Sequence, residues 1–291
     1  MKLVTFTHND ETRVGAVADG FVVDGKNNTK IPVTMLEFLS AGSRALDAMQ
    51  QQIDSGNDRI PLDRIKLHAP VPRPGKYLGI SLNYADHIEE TGRDKPEYPG
   101  FFTKQGTCVI GHGDAIHRPK VSDKLDYEGE LAFVIGTRCR HVPVDKAHQV
   151  IAGFTIANDV SVRDWQFRSP TFTLGKSFDT HGPLGPWLVT GDEISDPHNL
   201  ALKTWIDDEL RQSSNTRQMI FNCYEMVAYL SQAMTLEPGD VISTGTPGGV
   251  GVSMTPRGYM LPGQIARIEI EGIGTLVNSV VEEPDDWLRI G

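Results

Sequence analysis

The sequence predicts an α+β protein in which a large β-rich domain with a mixed sheet follows a small N-terminal α/β domain. Three observations support this. Short apolar runs bounded by turn residues dominate the chain, few segments show helical periodicity, and strands and helices do not alternate as in a parallel α/β sheet. The length of 291 residues suits one large domain with a small companion.

The first 70 residues predict the small domain. β-like runs lie at 3–6, 14–17 and 21–23, and polar turn residues separate them. From Thr34 to about Ile53 apolar residues recur near helical spacing, so we expect one helix there, although Gly42 interrupts the pattern. The proline-rich segment 69–75 cannot form regular structure. It therefore marks the boundary between a domain of residues 1–70 and one of residues 71–291.

The larger domain is predicted to consist mainly of strands. We expect these strands at 76–80, 125–135, 151–157, 200–206, 241–244, 265–270 and 274–281. Helical spacing is visible at 83–91 and 225–234. Pro-Gly turns at 238–239 and 262–263 each stand directly before a strand.

Charge and composition exclude several classes of protein. Acidic residues outnumber basic residues by 38 to 28, and no basic patch interrupts this excess, so we expect no nucleic-acid partner and no membrane partner. No signal peptide and no apolar run of about 20 residues is visible, which favours a cytoplasmic location. The three cysteines show no C-x-x-C spacing, which indicates buried reduced thiols.

Two carboxylates lie close together in the predicted strand 125–135. Alternation places Glu128 and Glu130 on one face, and both faces are otherwise apolar, so the strand is expected to be buried. Two ionised carboxylates there repel each other and lose hydration, at a cost of a few kcal/mol. A hard cation removes this cost. The alternative is a strand end that faces water.

A third carboxylate, Asp159, follows the predicted strand 151–157. Three carboxylates without paired histidine or cysteine ligands favour Mg²⁺ or Mn²⁺ over zinc. Taken alone, Asp159 is equally consistent with a turn. Sequence signatures of serine hydrolases, zinc proteases, P-loop proteins and dinucleotide-binding proteins are absent. The glycine-rich run 244–251 is either an anion cradle or a simple turn.

Several motifs together resemble those of the fumarylacetoacetate hydrolase family. The motifs, in the order of that family, are Leu82-Asn83-Tyr84-Ala85-Asp86-His87, Tyr127-Glu128-Gly129-Glu130-Leu131, Asn158-Asp159-Val160-Ser161-Val162-Arg163-Asp164, Leu174-Gly175-Lys176-Ser177-Phe178-Asp179 and Thr244-Gly245-Thr246-Pro247-Gly248-Gly249-Val250-Gly251. The resemblance covers about residues 70 to 283. It implies the mixed-sheet roll of that family's C-terminal domain, and the first 70 residues resemble the small extra domain of its longer bacterial members.

The resemblance also implies a metal site and a catalytic group. Glu128, Glu130 and Asp159 match the family's ligands for Mg²⁺ or Mn²⁺. His87 and Glu90 match a catalytic pair on a mobile lid at about 83–99, in which the carboxylate orients the imidazole that deprotonates water. Without the resemblance, His87 would be interpreted as a surface histidine on a helix.

Further positions match residues that contact the substrate. Lys176 matches a catalytic cation beside the metal, with a structural ion pair as the alternative. Arg163, Gln166 and Thr246 match groups that hold the 2-oxo acid end of the substrate, and Tyr84 is a further expected substrate-binding residue. The family also implies a homodimer.

These features lead to the hypothesis of a metal-dependent hydrolase that splits the C–C bond of an acylpyruvate into pyruvate and a carboxylic acid. The full-length resemblance is closest to bacterial hydrolases of 2,4-diketo-3-deoxy sugar acids. Two alternatives use the same site, namely oxaloacetate decarboxylation and isomerisation of a 2-hydroxymuconate-type diacid. A third alternative is a metal-binding protein without activity, which would need neither His87, Glu90 nor Lys176.

Overall fold

The computed structural model describes residues 1–285. Its strands are β1 (Lys2–His8), β2 (Glu11–Ala18), β3 (Phe21–Asp24), β4 (Arg59–Pro61), β5 (Lys66–Leu67), β6 (Tyr77–Ser81), β7 (Gly100–Lys104), β8 (Val109–Ile110), β9 (Ile116–Arg118), β10 (Leu125–Asp126), β11 (Gly129–Ile135), β12 (Ile151–Asn158), β13 (Ser161–Val162), β14 (Gly182–Thr190), β15 (Ala201–Ile206), β16 (Glu209–Asn215), β17 (Val241–Ser243), β18 (Ile265–Ile270) and β19 (Gly274–Glu282). Its α-helices are α1 (Met35–Ala41), α2 (Ser43–Ser55), α3 (Ala85–Thr91), α4 (Arg163–Gln166) and α5 (Cys223–Ala233).

Two large sheets organise these strands. A 12-stranded mixed sheet runs in the order β4-β3-β2-β1-β14-β12-β11-β17-β6-β7, with β5 beside β1 and β8 beside β14. A five-stranded sheet has the order β16-β15-β18-β19-β9, and β10 pairs with β13. The predicted α+β, β-rich fold class is confirmed. Because β1 pairs with β14, the N-terminal strands belong to the same sheet as β11, β12 and β14.

Strand β11 lies between two apolar cores. Its side chains Leu131, Phe133 and Ile135 pack in the core that includes α5 and part of the five-stranded sheet. Ala132 and Val134 face the opposite way, toward the core that includes the N-terminal helices. The predicted alternation and complete burial of this strand are therefore correct, since every residue of Gly129–Ile135 is buried.

The N-terminal helical segment differs from the prediction. One helix was expected from Thr34 to about Ile53, but the structure has two, which meet at Gly42. Gly42 adopts φ 60° and ψ −139°, a conformation that a helix does not allow and that favours glycine. Thr34 and Glu37 form a capping box at the start of α1, which agrees with the predicted beginning of the segment.

Some strands were not predicted. Strand β14 contains Pro183, Gly185 and Pro186, residues that usually indicate a loop, yet it pairs with β1 on one side and β12 on the other. The sheet tolerates these residues because the β12–β14 register shifts between Phe154 and Ile156, close to the second proline. Strands β7 and β16 were also missed.

The two predicted helices of the larger domain are present with shifted ends. Helix α5 begins after a capping box formed by Asn222 and Glu225. Helix α3 ends at Gly92, which has the left-handed conformation typical of a helix C-terminus. None of the helices in residues 1–285 is long and apolar enough to cross a membrane.

Candidate active site

Three buried carboxylates meet where β11 and β12 come together. Glu130 lies on β11, Glu128 directly precedes that strand, and Asp159 directly follows β12. The Asp159 N–H donates to the Glu128 carbonyl oxygen at 2.9 Å, and the Glu128 N–H donates to Asn158 Oδ1 at 3.0 Å. One carboxylate oxygen from each of the three residues lies within 4.8 Å of the others. The cluster predicted from sequence is thus present.

Three cations surround this cluster. Lys176 Nζ lies 2.7 Å from Glu128 Oε2 and 2.7 Å from Asp159 Oδ2. Arg163 Nη1 lies 2.6 Å from Glu128 Oε1, and Lys104 Nζ lies 2.6 Å from Asp159 Oδ1. Each cation has a side chain that is at most 6% exposed, so these ion pairs lie in a medium where attraction is strong.

The carboxylates of the cluster differ in their pKa. Burial raises the pKa of Glu128, but Lys176 and Arg163 outweigh this effect and hold it at about 2. Burial and the charges of Asp159 and Glu128 raise the pKa of Glu130 well above its usual value. Burial opposes the charge on Lys176, yet Asp159 and Glu128 raise the pKa of its ammonium group. Glu130 is therefore the carboxylate that most lacks a compensating cation.

The arrangement fits a hard divalent cation. The donors are oxygens only, and no histidine or cysteine joins the cluster among the described residues. A backbone N–H from Gly245 donates to Glu130 Oε2 at 2.9 Å and orients that side chain. A divalent cation would offset the repulsion between Glu130 and the neighbouring carboxylates of Asp159 and Glu128. Glu128, Glu130 and Asp159 thus form a site for Mg²⁺ or Mn²⁺.

A cavity of about 460 Å³ opens beside the carboxylates. Seven of the predicted site residues line it, namely His87, Glu90, Glu128, Arg163, Gln166, Lys176 and Thr246. Glu130 and Asp159 lie behind this lining, with 1% and 0% of their surface exposed. The volume falls in the range typical of sites for small molecules.

His87 and Glu90 form a hydrogen-bonded pair on α3. His87 Nδ1 lies 3.1 Å from Glu90 Oε2, and the Gly249 N–H donates to Glu90 Oε1 at 2.9 Å. Burial raises the pKa of Glu90, but the bonds to His87 and Gly249 outweigh it, so the pKa is lowered. His87 lines the same cavity as Glu128.

Arg163 has unused hydrogen-bonding capacity. Its Nε donates to Asp126 Oδ2 at 2.8 Å and its Nη1 donates to Gln166 Oε1 at 2.9 Å. Its Nη2 is buried and has no hydrogen-bond partner among the described residues. A buried unpaired guanidinium N–H group is costly, so a ligand oxygen would stabilise this site.

The two remaining predicted substrate-binding residues are placed differently, because Thr246 lines the cavity and Tyr84 does not. The Thr246 hydroxyl donates to the Gly129 carbonyl oxygen at 3.0 Å and accepts from Gln212 Nε2 at 2.8 Å, so it already has two partners. The Tyr84 side chain does not line the cavity and is fully buried. Burial and the neighbouring Glu130 raise the pKa of its phenol well above the usual value. Tyr84 therefore lies outside the lining of the cavity.

Lys104 is the member of the site that the sequence did not reveal. It lies on β7, where Phe102 and Lys104 are buried on one face and Thr103 is exposed. Its side chain is fully buried and donates to Asp159 Oδ1 and to the Lys176 carbonyl oxygen. A lysine at an inward position of an alternating strand is the signal that would have indicated this role.

Comparisons with known proteins identify the family of this chain. The model of the fumarylacetoacetate hydrolase C-terminal domain matches residues 76–281. The chain belongs to the fumarylacetoacetate hydrolase family. The rat mitochondrial oxaloacetate tautomerase Fahd2a is 40% identical over 287 residues, which cover 97% of this chain and 92% of the rat protein. The human mitochondrial oxaloacetate tautomerase FAHD2A is 41% identical over 253 residues, which cover 86% of this chain and 81% of the human protein.

Solved structures of the family have the same fold. The maleylpyruvate hydrolase of Sphingobium sp. SYK-6, in complex with manganese(II) ion and pyruvate, matches with a TM-score of 0.83 at 32% identity. The match covers 98% of this chain and 100% of that protein. A fumarylacetoacetate hydrolase from Exiguobacterium antarcticum matches with a TM-score of 0.86 at 35% identity, over 97% and 100% of the two chains.

Proposed function

We propose that this enzyme hydrolyses the C–C bond of an acylpyruvate and releases pyruvate and a carboxylic acid. The observation that carries the proposal is the His87–Glu90 pair, because it lines the same cavity as Glu128 and Lys176. A site that only held a metal would have no need of an oriented imidazole. A hydrolase needs one to deprotonate water.

The 2-oxo acid end of the substrate is assigned to the buried end of the cavity. Arg163 has an unpaired Nη2 there, and Gln166 is held beside it by the 2.9 Å hydrogen bond to Arg163. These groups are suited to bind the substrate carboxylate. When a divalent cation is bound to Glu128, Glu130 and Asp159, it supplies Lewis-acid polarisation of the 2-oxo group.

His87 acts as the general base at the distal carbonyl carbon, C4. It takes a proton from water while the hydroxyl oxygen adds to C4, and Glu90 fixes the orientation of the imidazole. Collapse of the adduct breaks the C3–C4 bond. The electron pair passes to the pyruvate part as an enolate, and His87 returns the proton to C3. One water is consumed and one carboxylic acid and one pyruvate are formed.

Lys176 is assigned to the substrate oxygens. Its ammonium group is buried beside Glu128 and Asp159 and lines the cavity. A buried cation stabilises negative charge on the enolate oxygen without reorganisation of solvent. Thr246, which lines the cavity, is assigned to the 2-oxo acid end of the substrate, and its hydroxyl also bonds to Gly129 and Gln212.

The second candidate is keto–enol tautomerisation of oxaloacetate. It is favoured by the 40% identity over 97% of this chain with a protein named as an oxaloacetate tautomerase. The reaction moves a proton between C3 and the C2 oxygen, and it needs no attacking water. The same site would support it, as well as oxaloacetate decarboxylation or isomerisation of a 2-hydroxymuconate-type diacid.

A substrate panel separates these functions. Pure protein is incubated with acetylpyruvate and with oxaloacetate, with Mg²⁺ and Mn²⁺ supplied separately, and loss of ultraviolet absorbance and formation of pyruvate are followed. The proposal predicts equimolar acetate and pyruvate from acetylpyruvate. Turnover of enol-oxaloacetate to the keto form with no reaction of any acylpyruvate would contradict it and support the tautomerase.

A homodimer and a cytoplasmic location complete the proposal. The dimer follows from the family resemblance, and the cytoplasmic location follows from the composition. The rat and human relatives, by contrast, are mitochondrial proteins. Light scattering after size-exclusion chromatography would measure the oligomeric state. A monomer mass at assay concentration would contradict the dimer.

A further inference from the structure

The cavity has a buried end and an open end. At the buried end, Glu128, Arg163 and Lys176 are between 2% and 7% exposed. At the open end, Arg93 and Arg257 line the same cavity and are exposed. A linear substrate that binds its 2-oxo acid among the buried groups therefore extends its distal group toward the two arginines.

Both arginines at the open end lack a partner. Within residues 1–285, the structure gives neither guanidinium an ion pair or a side-chain hydrogen bond. By contrast, Arg163 at the buried end has both Asp126 and Glu128 as partners. Two unpaired cations beside one cavity of a chain with a net charge of −10 indicate a site for a negatively charged group.

The two arginines come from elements that already flank the His87–Glu90 pair. Arg93 follows Gly92, the residue that ends α3. Arg257 lies four positions after Ser253, which donates a hydrogen bond to Glu90. Thr91 and Ser253 also line the cavity, but the Thr91 hydroxyl already donates to the His87 carbonyl oxygen. The two guanidinium groups are therefore the donors at the open end that a carboxylate could accept.

We propose that Arg93 and Arg257 bind a carboxylate at the far end of the acyl group. This inference rests on the proposed function and narrows its substrate to an acylpyruvate whose acyl group itself ends in a carboxylate. The planar fork of an arginine matches the two oxygens of that group. A neutral polyol tail, as in a 2,4-diketo-3-deoxy sugar acid, would leave both cations uncompensated.

The two arginines also set the orientation of a diacid. Both of its ends carry a carboxylate, but only one is adjacent to a 2-oxo group that can reach Arg163 and the carboxylate cluster. If the substrate entered reversed, the distal carboxylate would reach the buried end without an adjacent 2-oxo group. The 2-oxo group therefore determines which end enters, and the two arginines bind the other carboxylate.

The test compares two substrates that differ in their distal charge. Succinylpyruvate carries the distal carboxylate, and its distal methyl ester removes the charge and adds one methyl group. We expect wild-type kcat/KM to be roughly tenfold or more higher for the acid, since two charge-assisted pairs at an open site are each worth several-fold in affinity. Arg93→Gln and Arg257→Gln should each reduce this ratio several-fold, chiefly through KM.

Arg217→Gln is the matched control, because Arg217 is also an exposed arginine and does not line the cavity. It should leave the ratio unchanged. Equal wild-type kcat/KM for acid and ester, or equal losses for both substrates in the Arg93 and Arg257 variants, would overturn the inference and leave the acylpyruvate hydrolase intact. Failure of both compounds to release pyruvate would overturn the proposed function as well.

Discussion

The ammonium group of Lys176 lies 2.7 Å from Glu128 Oε2, so a fully buried cation contacts a carboxylate of the metal site and lines the cavity as well. We expect Lys176→Ala to fold, because a divalent cation can compensate the carboxylates that lose Lys176. Its kcat should fall by at least roughly 10², as for loss of one oxyanion-stabilising group. Lys203→Ala, an exposed lysine on β15, is the control. A wild-type rate in Lys176→Ala would refute the assignment.

Removal of the metal should abolish turnover. The carboxylates of Glu128, Glu130 and Asp159 are the only described group of oxygen donors arranged for a cation. Dialysis against a chelator should stop pyruvate release, and Mg²⁺ or Mn²⁺ should restore it. A free metal concentration of about 100 times Kd should also raise the free energy of unfolding by about 2.7 kcal/mol, which would be measured as a higher Tm. Full activity of chelated, metal-free protein would contradict the account.

Loss of His87 should separate hydrolysis from binding. His87→Ala leaves the metal-binding carboxylates untouched, so metal and oxalate should bind almost normally in calorimetry. Hydrolysis should fall by roughly 10²–10⁴, the usual contribution of a general base. Oxaloacetate decarboxylation, which needs no water, should fall less. If both reactions fell equally, or if metal binding were lost, the water-activating role would be wrong.

The lid should respond to ligand. Helix α3 is held by the Gly249–Glu90 and Ser214–Asp86 hydrogen bonds, whereas Asn83 before it is anchored by hydrogen bonds with Phe221 and Thr244. The mobile part of the segment at 83–99 is therefore expected to lie after Asn83. We expect amide hydrogen exchange in this segment to be fast in ligand-free protein and slower with metal and oxalate. The same exchange rate in both states would contradict a lid.

Lys104 should act as a positioning residue for Asp159. Lys104→Met removes a fully buried cation that is 2.6 Å from Asp159 Oδ1. Removing one partner of a buried ion pair typically lowers the free energy of unfolding by about 3–5 kcal/mol. Loss of a side chain that orients a metal ligand weakens metal binding roughly 10–100-fold. Calorimetry of metal binding and thermal unfolding would measure the two effects. Lys104→Arg should restore part of the affinity, because it keeps the positive charge. Normal metal binding in Lys104→Met would contradict the role.

The sequence predicted the metal ligands because their signal is local. Glu130 lies on a strand whose alternation is unambiguous, and Glu128 and Asp159 stand at adjacent strand ends. The pairing of β11 with β12 brings the three carboxylates together. Consecutive buried strands are expected to pair in this way. The family resemblance then supplied His87, Arg163 and Lys176, which lie far apart in the chain.

Features that depend on distant contacts were not predictable. Lys104 reaches Asp159 across 55 positions, and no local pattern distinguishes it from a surface lysine except the burial of its strand face. Strand β14 carries two prolines and is a strand only because two neighbours pair with it. The orientation of Tyr84 toward the core likewise follows from packing at the start of α3.

Acetylpyruvate turnover in water enriched in ¹⁸O tests the central claim most directly. With Mn²⁺ bound, the account predicts equimolar pyruvate and acetate, with one ¹⁸O atom incorporated in the acetate carboxyl group. His87→Ala should slow this incorporation by roughly 10²–10⁴. Rapid interconversion of enol and keto oxaloacetate by the same preparation, with no labelled acetate and no pyruvate from acetylpyruvate, would contradict the hydrolase and assign the site to proton transfer alone.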